Sequence, residues 1–166
     1  MMGGDTVSAA MPEIRPAREN LRDVIDSNFS MGSVGVDEMV SLDNLSTSMS
    51  PSVSDARRAD ELANKIQSGD GYIERIIVDN SGNVIEGQHR TEAMKRLGYS
   101  EIPATIINDL SGQADELVAT GIRPEHARQI IDEVDSWVRN GESVSDYVVA
   151  PEFKEQYLLA EKLLVK

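Results

Sequence analysis

Between positions 84 and 90 the chain reads Val84-Ile85-Glu86-Gly87-Gln88-His89-Arg90. A β-branched pair, a glycine and then polar and basic residues predict a strand, a tight turn and the first turn of a helix. The first amides of a helix lack internal partners and lie at the positive end of its dipole. Stability alone favours Asp or Glu there, yet this chain has His89 and Arg90. Like charge on like potential costs about 0.3–1 kcal/mol, which a bound anion would offset. Gly87 permits positive φ and lets a ligand approach the backbone. Arg90 can fork onto phosphate oxygens, and His89 adds a donor that strengthens on protonation. The plainer account is a surface ion pair of Arg90 with Glu86 or Glu92, and a His89 that only packs. On either account a first-turn arginine is expected to contribute little to the core. Glu86 precedes the glycine: as a catalytic residue it would hold magnesium or act as a base, and otherwise it is a strand end in solvent.

Several elements must position this turn. Ser54 can cap a helix whose inward stripe is Ala56, Ala59, Leu62, Ala63 and Ile66, with Gly69 as its left-handed stop. Residues 72–78 read as a strand, residues 79–83 as a hairpin turn, and Val84-Ile85 as the return strand. A helix follows from His89 or Arg90 to Leu97, ended by Gly98, and residues 102–107 form another strand with Pro103 at its start or on an edge. Beyond it the chain turns helical. Ser111 starts a helix that stops at Gly121. Pro124 opens a longer one burying Ala127, Ile130, Ile131, Val134, Trp137 and Val138, with Trp137 expected against Tyr157 or the core. Pro151 opens the last, with Phe153, Tyr157, Ala160 and Leu164 inward. Asp132, Glu133 and Asp135 read as a solvated face, and His126 as ordinary.

Before position 51 the composition is loose. Pro16 can open a short helix through Leu21, Val24 and Ile25; Gly32, Ser33 and Gly35 break the chain; and Met39 to Leu42 reads as a strand. Much of it has the composition of a flexible tail. The fold class expected is α+β: a small mixed sheet with helices and a C-terminal helical appendage. Three parts are expected, an N-terminal extension (1–35), a central domain (36–110) and the appendage (111–166).

The 166 residues carry a formal charge of −13, whereas duplex DNA binders present basic surfaces that release counterions. The balance argues against DNA binding by this chain alone, although a local basic pocket remains compatible with it. With no cysteine, thiol catalysis, thiolate metal sites and disulfides are excluded, and His89 and His126 do not form a zinc pattern. The start has neither the basic residues nor the apolar run of a signal peptide, and no stretch suits a membrane span. A cytoplasmic location is expected.

Taken together, residues 76–79, the run from Gly82 to Arg90, Ala93, Leu97-Gly98 and Ile102-Pro103-Ala104 resemble the ParB/sulfiredoxin superfamily, over roughly residues 36–110. Its members share a strand, a Gly-x-(His/Arg)-Arg turn, a helix with Ala, and then a Gly and an Ile-Pro or Val-Pro strand. The resemblance implies a nucleotide phosphate site at Gly87, Gln88, His89 and Arg90, since sulfiredoxins hold ATP there, ParB proteins CTP, and related free-serine kinases ATP or ADP. Upstream-helix residues also reach the phosphates in sulfiredoxins; the matching positions are Arg58, Glu61 and Lys65, for which a solvated helix face is an equally good account.

Two departures bear on activity. Gln88 stands where sulfiredoxins have the catalytic Cys and where ParB proteins have a Glu near the metal. The helices after Leu110 are short in basic residues, so centromere reading is not implied. Three functions follow as expectations. The first is nucleoside triphosphate binding with Mg²⁺, as an NTPase or phosphotransferase using ATP or CTP. The second is a non-catalytic interaction or assembly protein that contacts a partner or a second copy through the N-terminal extension or the C-terminal helices. The third is a ParB-like nuclease. Such domains are associated with plasmids and phages.

Overall fold

Buried apolar side chains gather into two separate cores, and the chain divides with them. The computed structural model describes residues 11–48, 52–68 and 71–165. One unit comprises the residues up to 28 together with 34–108, the other residues 29–33 and 109 onward.

The first unit carries β1 (Glu13–Arg15), α1 (Leu21–Asn28), β2 (Gly32–Ser41), α2 (Val53–Gln67), β3 (Tyr72–Glu74), β4 (Ile76–Asp79), β5 (Val84–Glu86), α3 (Gln88–Arg96) and β6 (Glu101–Asp109). A four-stranded sheet runs β2-β6-β4-β5, and β1 pairs with β3 in a second, two-stranded sheet. β4 lies parallel to β6, with Ile76 opposite Ala104, and antiparallel to β5. The core joins Ala63 and Ile66 of α2, Ala93 and Met94 of α3, and strand residues Ile73, Ile76, Val78, Val84, Ile102 and Ala104. This is an α+β fold with small sheets.

The hairpin forms as its composition predicts. The Asp79 carboxylate accepts from the amides of Ser81 and Asn83 and from the Asn83 side chain, and this closes the turn. Elsewhere the structure redraws the expected elements. The α2 cap is Ser52, whose hydroxyl accepts from the Asp55 amide at 3.1 Å; Ser54 lies inside the helix, and Gly69 lies outside the described residues. The expected strand over 72–78 is two strands in different sheets. It breaks at Arg75, whose amide donates to the Arg15 carbonyl while its side chain donates to the Ala104 carbonyl.

Gly32, Ser33 and Gly35 interrupt nothing: all three lie in β2. A Cβ at Gly35 would stand 2.7 Å from the Ile106 carbonyl oxygen, so this glycine marks close approach of two strands, a use of glycine that composition cannot separate from a loop. Residues 11–28, loose by composition, hold β1 and α1. Pro103 is neither on an edge strand nor paired with β4, since that register begins at Ala104.

The second unit is helical: α4 (Ser111–Val118), α5 (Pro124–Arg139) and α6 (Lys154–Leu164), with single 3-10 turns at Val144–Asp146 and Pro151–Phe153. Its core comprises Leu117 of α4, Ala127, Ile130, Ile131 and Val134 of α5, and Tyr157 and Ala160 of α6, closed by Val144. Trp137 is half-buried, stacked on Tyr147 at 4.0 Å and Tyr157 at 5.8 Å between ring centroids. His126 meets Phe153 edge-on at 5.1 Å.

The acidic run of α5 is not a uniformly solvated face. Asp132 is exposed, but Asp135 is buried and accepts from Arg139, while Glu133 accepts the Tyr157 hydroxyl at 2.6 Å. The solvated reading holds for Asp132 and fails for Asp135, because the partners come from one turn ahead and from α6. No described helix is long and apolar enough to cross a membrane.

Candidate phosphate-binding site

The turn between β5 and α3 is held by its own backbone and by the side chains of Gln88 and Thr91. Gly87 caps α3 at φ 107°. A Cβ there would come within 2.5 Å of the Ile76 Cγ2 methyl, so both conformation and space demand glycine. The Gly87 carbonyl accepts from the Thr91 amide and the Thr91 hydroxyl, each at 2.9 Å, and Thr91 is fully buried. Gln88 turns its amide nitrogen back onto β5, donating to the Val84 and Ile85 carbonyls at 3.2 and 3.4 Å and to the Ser48 hydroxyl at 3.3 Å. A carboxylate could not donate these bonds. Gln88 therefore closes the turn, and it carries no charge toward the site.

His89 and Arg90 point to opposite neighbours. His89 Nε2 lies 2.9 Å from an Asp55 carboxylate oxygen in the first turn of α2. Arg90 donates to the Glu74 and Arg75 carbonyls at 3.2 and 3.1 Å and pairs with Glu19 at 2.9 Å, its side chain only 13% exposed. The surface pairing with Glu86 or Glu92 is therefore wrong. So is the expectation that a first-turn arginine carries little of the fold: this one ties α3 to the end of β3 and to the segment before α1. Burial with carbonyl partners makes Arg90 part of the framework as well as of the site.

Above the turn lies a cavity of about 280 Å³, lined by Glu86, Gly87, Gln88, His89 and Arg90 from the turn, Arg58 and Leu62 from α2, Glu74 from β3, and Arg18 and Glu19. Its size is at the low end of small-ligand sites. Arg58 is half exposed, its carboxylate neighbour Glu61 3.8 Å away on the same helix face. Lys65 does not line this cavity. It borders a smaller apolar hollow with Ile66, Tyr72 and Ile73, which shares Leu62, Glu74 and Arg90 with the first. The cations Arg18, Arg58 and Arg90 thus converge over a helix start whose first turn holds no acidic residue. Carboxylates at Glu19, Glu74 and Glu86 border the same space.

Arg18, Glu19 and Glu74 escape sequence reading because chain pairing alone brings them in. β1 runs parallel to β3, with Arg15 opposite Glu74, which draws the following residues across the turn. The local signal was slight: a basic and an acidic residue after Pro16 in a stretch of loose composition.

Small sheets and helices, with a glycine-started helix beneath a hollow lined by three arginines and three glutamates, make this an α+β protein. The model of the ParB N-terminal domain family matches residues 11–121, more than half of the chain, and the protein belongs to that family. The match begins well before the resemblance read from the turn motif and takes in β1, α1 and α4. Two solved structures of pNOB8-like ParB N-domains are similar to the chain at 16% and 15% identity, with TM-scores of 0.38 and 0.36. The likeness covers 82% and 83% of this chain, which spans only 63% and 60% of theirs. No curated protein matches.

Proposed function

We propose that this ParB N-terminal domain binds the phosphates of a nucleoside triphosphate, ATP or CTP, at Gly87, Gln88, His89 and Arg90, with Arg58 reaching the same anion from α2. The observation that carries the reading is the left-handed Gly87 opening α3 beneath three arginines. The unpartnered amides and dipole of the helix start act on the anion together with these charges. Lys65, in the neighbouring hollow, belongs to this reading only as a contributor to the wider field.

Mg²⁺ fits as an ion carried mainly by phosphate oxygens and water. Among the described residues no cluster of three or more His, Asp or Glu side chains could hold it alone, and Glu86 is the carboxylate of the turn that would complete its shell. Under an NTPase reading, water attacks the γ-phosphorus, its proton passes to Glu86, and the bond to the β–γ bridging oxygen breaks. The alternative, a non-catalytic assembly protein that keeps the nucleotide site, draws support from Gln88, which gives its donors to β5 and leaves no charge for a metal. In that case the contacts with a partner or second copy fall to the N-terminal extension or the C-terminal helices. Duplex DNA is a poor candidate for the latter: from Asp109 onward there are twelve acidic residues against six basic ones.

Calorimetric titration with ATP, CTP, GTP and ADP, with and without Mg²⁺, tests the reading. Arg58→Ala should weaken the tightest ligand by about tenfold, the scale of one charge-assisted hydrogen bond, and leave the melting temperature unchanged because its ion pair with Glu61 is at the surface. If no nucleotide binds at millimolar concentration, the reading fails.

A further inference from the structure

Arg90 is not waiting empty. Its guanidinium is held by Glu19 at 2.9 Å as well as by the two β3-end carbonyls, and Glu19 lines the cavity that the phosphates would enter. The pair is incomplete, since the second carboxylate oxygen of Glu19 is buried and accepts no hydrogen bond among the described residues. A carboxylate desolvated on one oxygen and satisfied on the other keeps only part of the gain of an ion pair. Glu19 also lies in the connection between β1 and α1, outside any helix or strand, so it can withdraw without unmaking a ladder.

We propose that Glu19 is a displaceable internal anion: it occupies Arg90 until a nucleotide phosphate takes its place, and its release frees the Arg18–Glu19 segment. The inference rests on the phosphate-binding reading above and adds a regulation to that site. Phosphate and carboxylate compete for the same donor, so affinity is lowered by the stability of the Glu19–Arg90 pair. Occupancy of the turn is in this way reported to the segment leading into α1. Arg18, its neighbour in the chain and in the cavity lining, is carried by the same movement.

Glu19→Gln separates this role from the others. Glutamine keeps an acceptor for Arg90 but removes the charge that competes with phosphate. Titrations of wild type and Glu19→Gln are run with ATP, CTP and inorganic triphosphate, with and without Mg²⁺. Hydrogen exchange of residues 16–28 is followed in parallel. The proposal expects binding tighter by about tenfold in the variant, and faster exchange of the wild-type segment when ligand is bound. Unchanged affinity overturns it. Weaker binding of the variant, confined to samples with Mg²⁺, also overturns it and makes Glu19 a metal ligand. Weaker binding with and without metal makes Glu19 purely structural. If neither protein binds any of the three ligands, the phosphate-binding reading itself falls, and the displacement of Glu19 with it.

Discussion

At Gly87 two independent demands fall on one atom that is not there. The backbone sits at φ 107°, and the space a Cβ would fill is taken by the fully buried side chain of Ile76, the first residue of β4. Gly87→Ala should therefore cost about 2–4 kcal/mol in chemical denaturation, combining left-handed strain with overpacking against a buried strand. That is more than a turn glycine in open solvent would lose. The shape of this turn was legible from seven consecutive residues, because a β-branched pair, a glycine and then polar residues mark a strand that ends where a helix begins. What Arg90 touches was not legible. Its partners come from β3 and from Glu19, seventy-one positions away in the sequence, and no local pattern encodes a contact of that range.

At the scale of elements, α2 and α3 are fastened side by side over the sheet by more than their apolar faces. Arg96, in the last turn of α3, donates to the Ala56 carbonyl and pairs with Asp60 of α2, while His89 meets Asp55 at the opposite end. Arg96→Ala should destabilise the protein by about 1 kcal/mol, measured by denaturant titration, because a carbonyl bond and a largely exposed ion pair are lost together. Helix periodicity made both helices readable, down to Ala59, Ala63 and Ile66 as the buried positions of α2. Strands were harder. Residues 72–78 look like one β-branched run, yet Arg75 turns the chain between two sheets, and three-residue strands such as β1 and β3 carry too few side chains for alternation to show. β1 was invisible for that reason, although it brings Arg18 and Glu19 to the site.

At the scale of the molecule, pH acts on the helical unit through its tyrosines. In the helical unit, burial first and then the hydrogen bond to Glu133 push the Tyr157 phenol up to about 12, from an ordinary value near 10. A raised pKa means that the folded state holds the proton more tightly. The stabilisation is complete below about pH 10 and is lost as the pH climbs toward 12. Denaturation measured at steps across that window should show stability falling with pH in the wild type. Tyr157→Phe should flatten the slope, leaving the part due to Tyr147, whose pKa its hydrogen bond to Glu142 also raises. At neutral pH the same substitution should cost about 1–2 kcal/mol, because the Glu133 carboxylate loses its donor. The stacked rings at this place have an optical consequence. Trp137 is the sole tryptophan of the chain, and it stacks on two tyrosines of its own unit. Its fluorescence is thus a built-in gauge of how α5 and α6 pack, and a melt followed by tryptophan emission charts the helical unit, while circular dichroism charts the sheets and helices of both.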